Sequence, residues 1–140
     1  MRRERLWWCV PAAVLCAADG VLTLWGQPPE YWSSGFAQVR EGHPVPAWFL
    51  EIHPLAFAAA GVPYLLLVAA LVLWLPRGWA ALLALLVAAG HALAVIAWCR
   101  NLFPEPVAPV VVAAIAVGGC GFVAWRIWSS REMAADESAA

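Results

Sequence analysis

The chain has 140 residues, of which 64% are hydrophobic and 12% are charged. This balance is far more apolar than that of soluble proteins, and one small domain could not bury so many apolar side chains in its core. The formal net charge is −1, and no basic patch of the kind that binds nucleic acid is present. We therefore predict an integral membrane protein.

Four apolar segments each approach the roughly 20 residues that cross about 30 Å of hydrocarbon. These segments are residues 6–25, 55–75, 79–98 and 107–128. We predict an all-α, polytopic membrane protein, a bundle of four transmembrane helices in one domain at 1–128. A structured outer loop would occupy 26–54, and a short cytoplasmic tail would occupy 129–140.

The distribution of arginine predicts the orientation. Six of the eight arginines are predicted to lie on one side of the membrane: before the first segment, in the turn after the second segment, or at the end of the fourth segment. Arg40 and Arg100 lie on the other side. Basic loops resist translocation, so both termini are predicted to be cytoplasmic, in a bacterial inner membrane. A cleaved signal ending at residues 16–18 is the alternative for the N-terminus.

The first segment carries an acidic residue, Asp19, among apolar neighbours. Ala12, Cys16, Asp19 and Thr23 recur at helical spacing and share one face. A carboxylate at this depth is costly against lipid. This face is therefore predicted to point into the bundle.

The loop at 26–54 contains too many prolines and glycines for one long helix, and it is rich in aromatic residues. We predict that it folds back over the mouth of the bundle as a lid, with a short interfacial helix around residues 47–52. Its predicted apolar ligand contacts are Tyr31, Trp32, Trp48 and Phe49.

The second and third segments are predicted to pack as an antiparallel hairpin. Pro63 indicates a bend in the second, residues 64–75 are lipid-like throughout, and residues 76–78 form a minimal turn. Ala80, Ala84 and Ala88 form a small-residue ridge that favours close packing. The fourth segment has a similar face at Ala114, Gly118 and Gly121.

His91 is the polar residue of the third segment. It stands seven residues before Trp98, and Asp19 stands six before Trp25, so both lie about 9–10 Å from the same end of the bundle. We predict an Asp19–His91 pair at the base of an outward-facing cavity, with Thr23 as a hydrogen-bond partner. Further ligand-binding residues would be Glu51 and His53, and the rim would be Glu41, His43 and Arg100.

Two other interpretations of these polar residues stay open. Asp19 and His91 could only hold two helices together. Alternatively, His43, His53 and His91 with Asp19 or Glu51 could ligate zinc. Their spacing fits no local ligand motif and the four cysteines show none either, so no metal and no cofactor are predicted.

A family resemblance is carried by Asp19, Pro29-Glu30-Tyr31, His43-Pro44, Pro46-Ala47-Trp48-Phe49, His91 and Ala108-Pro109. In this order the chain resembles the emopamil-binding and sigma-2-receptor-like family of four-helix membrane proteins. The resemblance implies an intramembrane cavity for sterols or amphipathic amines, with Asp19 facing the cation or hydroxyl of the ligand. His43 replaces the family's loop acid, and the family's glutamate in the second helix is missing.

Asp19, Thr23, Glu41 and His43-Pro44 also resemble a pattern of uncharacterised small bacterial four-helix membrane proteins, which implies no activity. The leading hypothesis is a binding protein for a small amphipathic or lipid-like molecule. The alternatives are a sterol-isomerase-like enzyme with Asp19 and His91 as acid and base, and an accessory subunit without a ligand. Expected partners are the lipid bilayer, the ligand, and a second copy or another membrane protein, but no nucleic acid.

Overall fold

The structure, a computed structural model, describes residues 3–103 and seven positions further along the chain. Those positions are 107, 110, 111, 114, 118, 119 and 125. Every regular element among the described residues is a helix, in agreement with the predicted all-α class. Most of the predicted fourth span at 107–128, and all of the predicted tail at 129–140, lie outside the described residues.

A 3₁₀ segment, Arg3–Trp8, leads into five α-helices. They are α1 (Cys9–Trp25), α2 (Pro29–Ser33), α3 (Pro44–Ile52), α4 (Pro54–Trp74) and α5 (Arg77–Leu102). Three stretches, Arg5–Trp25, Pro54–Trp74 and Arg77–Leu102, are long and apolar enough to cross a membrane. They correspond to the first three predicted spans.

The connection between α4 and α5 is shorter than expected. Arg77 and Gly78, predicted to lie in the turn, already belong to α5, and Pro76 is the N-cap of that helix. Proline suits the start of a helix because its missing N–H would have no partner there. α4 continues through Pro63 without interruption.

The small-residue ridge of α5 packs against α4 near this connection. Ala80 and Ala84 are buried with Val68 and Val72 of α4, as the ridge predicted. The 3₁₀ segment closes the same end, since the Arg5 guanidinium donates a hydrogen bond to the Leu75 carbonyl at 2.9 Å. The α4–α5 hairpin is therefore held both by close helix packing and by a cation at the C-terminus of α4.

The opposite end, where α1 stops and α4 begins, is called the loop end below. Among the described helices, α1 and α5 form the most extensive contact. Val95 and Cys99 of α5 are buried against Ala18 and Leu22 of α1. At the loop end the Trp98 ring of α5 lies directly on Gly26, the C-cap of α1, so the two helices are in direct contact there.

The loop at 26–54 is tied down by Gln27. This buried side chain donates hydrogen bonds to the carbonyls of Thr23 and Arg40, at 2.9 and 3.1 Å. Its own carbonyl oxygen accepts a hydrogen bond of 2.8 Å from the Arg40 N–H. The first half of the loop is thus fastened to the end of α1.

Tyr31 fastens the second half of the loop. Its fully buried side chain donates a hydrogen bond of 2.9 Å to the Leu50 carbonyl in α3. That carbonyl has no helical partner, because the residue four positions later is Pro54, which has no N–H. The helix predicted around residues 47–52 is present as α3, and its main packing partner is α4. A position of the loop across the mouth of the bundle stays a prediction.

Replacement of Tyr31 by phenylalanine is expected to lower the free energy of unfolding by about 1–3 kcal/mol. The variant keeps the ring but leaves the buried Leu50 carbonyl without a donor. Thermal unfolding in detergent measures the loss. Tyr64→Phe is the matched control, because it deletes the same hydroxyl from a partly exposed ring. Equal losses in the two variants would contradict the assigned role of Tyr31.

Candidate functional site

Asp19 of α1 and His91 of α5 are in direct contact. Asp19 Oδ2 lies 2.9 Å from His91 Nδ1, and the two side chains are 19% and 21% exposed. Thr23, one turn along α1, donates a longer hydrogen bond of 3.4 Å to the other carboxylate oxygen. The contact follows from the matched depth of the two residues on two helices that pack closely.

Tyr64 of α4 is the third member of this group. Its hydroxyl lies 3.3 Å from His91 Nε2, and the two rings meet edge to face at 5.7 Å. The prediction that residues 64–75 are lipid-like throughout is therefore wrong at Tyr64. A tyrosine in the middle of a span, away from the interface that tyrosine prefers, was the available signal. Asp19, His91 and Tyr64 are called the Asp–His–Tyr cluster below.

The geometry assigns roles to the two ring nitrogens of His91. Nδ1 carries a proton and donates to the carboxylate, so Nε2 of the neutral ring accepts from the Tyr64 hydroxyl. In the protonated ring Nε2–H donates to the tyrosine oxygen instead. The carboxylate thus fixes the orientation of the imidazole. Nε2 is left as the nitrogen that can form a hydrogen bond with Tyr64 or with another group in its place.

The cluster is closed on the α1 side and open on the other side. Thr23 is buried, and the packing of Trp98 on Gly26 closes the contact between α1 and α5 above it. Tyr64, by contrast, is 39% exposed. A Cβ atom placed on Gly61 or Gly90 would meet no neighbouring atom within 4 Å. The accessible side of the cluster is therefore the surface between α4 and α5.

The aromatic residues predicted to contact a ligand belong to the loop. Burial raises the pKa of Tyr31, which keeps its hydroxyl protonated as a donor to Leu50. Trp32 and Trp48 are exposed, and the Trp48 ring meets Phe49 edge to face at 4.8 Å. No hydrogen bond or ring contact among the described residues joins these four side chains to the Asp–His–Tyr cluster. Their role in ligand binding stays a prediction.

The polar loop residues are also separate from the cluster. His53 caps α4, since its Nδ1 accepts the Leu55 N–H at 3.0 Å. The Glu51 side chain is exposed and forms no hydrogen bond within the part of the chain that is described. At the predicted rim, Glu41 accepts the His43 N–H at 2.9 Å, and Arg100 is exposed in the last turn of α5.

The zinc interpretation finds no support in the described residues. Among them, no three His, Cys, Asp or Glu side chains come together in a way that could hold a metal ion. His43, His53 and His91 each have different neighbours, and Cys9, Cys16 and Cys99 are free thiols. The chemistry that this arrangement offers is hydrogen bonding and proton transfer within the Asp–His–Tyr cluster.

An apolar groove of about 440 Å³ lies between α1, α5 and positions 107 and 111. On α1 it is lined by Ala17, Ala18, Val21 and Leu22, of which only Leu22 lies one helical turn from Asp19. None of its lining residues belongs to the Asp–His–Tyr cluster. The groove is therefore a separate feature of the helix surface.

Comparison with known proteins finds no matching family model, no matching curated protein and no matching solved structure.

Proposed function

We propose that this chain is a polytopic integral membrane protein that binds a small amphipathic molecule, with the head group at the Asp–His–Tyr cluster. The proposal includes four transmembrane helices, cytoplasmic termini and a bacterial inner membrane. The observation that supports it most is the meeting of three polar side chains from three apolar helices, with Tyr64 and part of the Asp19–His91 pair still accessible. A few polar groups between apolar walls are typical of ligand sites.

The charge of the site favours a cationic head group. Asp19 is the only charged residue in α1 and α4, and α5 carries no Lys or Arg between Arg77 and Arg100. A ligand ammonium next to the carboxylate would add a permanent countercharge, where the helices supply only the His91 imidazole. A hydroxyl on the ligand could bond to Tyr64 or to Nε2 of His91. The resemblance to the emopamil-binding and sigma-2-receptor-like family implies the same ligand class.

Two alternatives use the same residues differently. A sterol-isomerase-like enzyme would employ Asp19 and His91 as acid and base, and the hydrogen-bonded chain from Asp19 through His91 to Tyr64 favours this alternative. Conversion of a sterol substrate by the purified protein would distinguish the enzyme from a binding protein. An accessory subunit would use the pair only to join α1 to α5, and a membrane partner would co-purify with it.

Binding is tested by thermal unfolding in detergent with N,N-dimethyldodecylamine, a single-chain tertiary amine. Near 100 times its Kd, the amine is expected to stabilise the wild-type protein by about 2.7 kcal/mol, which raises Tm by several degrees. Dodecan-1-ol, with the same chain and no charge, should have a smaller effect.

Two variants in this experiment test whether the amine binds at the Asp–His–Tyr cluster or at the loop. Asp19→Asn removes the carboxylate charge and should abolish the shift caused by the amine. Glu51→Gln removes an exposed loop carboxylate and should leave the shift unchanged. An equal shift in the wild type and in Asp19→Asn would overturn the proposed site.

A further inference from the structure

α3 carries an exposed apolar face outside the three long helices. Val45, Trp48 and Ile52 are each more than half exposed. At about 100° per residue they lie within an arc of about 60° on one side of the helix. Glu51, about 60° outside this arc, is the only charged residue in α3. A helix beside water normally exposes a polar face, so this apolar face requires a cover.

The rotation of α3 about its axis is fixed. Leu50 lies on the side of the helix opposite Trp48 and is fully buried. Its carbonyl holds the hydrogen bond from Tyr31. The face formed by Val45, Trp48 and Ile52 is therefore directed away from the protein.

The proposed transmembrane position of α4 sets the position of α3 along the membrane normal. The 21 residues of α4 are about 31 Å long, which matches the roughly 30 Å of hydrocarbon in a bilayer. Pro54, the first residue of α4, then lies at the membrane interface. Only His53 separates α3 from α4. Ile52, two residues before Pro54, therefore lies within about 8 Å of that plane.

We propose that α3 is an interfacial helix, with Val45, Trp48 and Ile52 inserted among the lipid acyl chains at the headgroup boundary. Helices of this kind bury their apolar face about 5–10 Å into that boundary. Trp48 supplies an amphipathic ring suited to this depth. The inference rests on the transmembrane position of α4 in the proposed function, but not on ligand binding.

The experiment places one nitroxide at a time on a cysteine-free variant of the full chain in phosphatidylcholine–phosphatidylglycerol vesicles. Labels at Val45→Cys, Trp48→Cys and Ile52→Cys should collide severalfold more often with oxygen, which dissolves in the acyl region, than with a water-soluble nickel chelate. Ser34→Cys, in the exposed loop, should show the reverse preference. Leu66→Cys, on the exposed surface of α4, should show the strongest preference for oxygen.

The controls separate the two proposals. If the label at Leu66 prefers the nickel chelate, α4 does not cross the bilayer, and the membrane part of the proposed function fails together with the inference. If Leu66 prefers oxygen but Trp48 behaves like Ser34, only the interfacial position of α3 is overturned. A third outcome is a low collision rate with both reagents at Trp48, together with dipolar broadening between labels. This result would show that a second copy of the chain covers the face, and it would also overturn the interfacial position of α3.

Discussion

His91→Leu is expected to lower the free energy of unfolding by about 2–3 kcal/mol. The variant removes the group 2.9 Å from Asp19 and leaves a carboxylate without its partner. Breaking a fully buried pair costs about 3–5 kcal/mol. The expected loss is smaller here because about a fifth of each side chain remains exposed. Denaturant titration in mixed micelles measures it.

Adding Asp19→Asn to His91→Leu should recover part of that loss, because the unpaired group is then neutral. Tyr64→Phe serves as the control at the other nitrogen of His91, where the bond is 3.3 Å and the tyrosine is partly exposed. Its loss should be within about 1 kcal/mol. Additive effects of the two substitutions, with no recovery in the double variant, would show that the two side chains do not interact.

Gly26→Ala is expected to destabilise the protein by about 1–3 kcal/mol through overpacking. A Cβ at this position would overlap the Trp98 ring. The backbone is not the cause, because φ of Gly26 is −78°, which any residue adopts. The loss measures how tightly α1 and α5 pack at the loop end, and thermal unfolding in detergent reports it.

Gly90→Ala is the matched control for this packing effect. It lies in α5 as Trp98 does, but its added methyl group meets no neighbouring atom within 4 Å. Since alanine favours a helix over glycine, this variant should be about 0.5–1 kcal/mol more stable. Trp98→Phe should relieve part of the clash in Gly26→Ala. The steric explanation fails if the smaller ring brings no relief.

Sequence periodicity and depth predicted much of the membrane region. The three apolar helices follow from the length of their apolar runs, and the Asp19–His91 contact follows from counting residues from the tryptophans at the span ends. The count succeeded because Trp98 lies beside Gly26, so the two reference points are at the same height. The burial of Ala80 and Ala84 followed from their helical spacing.

The contacts that sequence reasoning missed depend on how distant segments meet. Tyr64 lies in an apolar run, and only the packing of α4 against α1 and α5 brings it to His91. The aromatic composition of the loop predicts Tyr31 as a ligand contact, but it does not predict that the Tyr31 hydroxyl bonds to a carbonyl that Pro54 leaves unpaired. Proline four residues after a helical carbonyl is a local signal for such an acceptor. The identity of its donor depends on the loop fold.

The length of α5 sets it apart from the other two long helices. Its 26 residues measure about 39 Å, against about 31 Å for α4. Since Trp98 is level with the C-cap of α1, the four residues from Cys99 to Leu102 rise about 6 Å above the plane where α1 stops. In the proposed transmembrane orientation, this final turn would extend to the lipid phosphates, where the exposed Arg100 guanidinium, a cation at a helix C-terminus, would meet anionic oxygens.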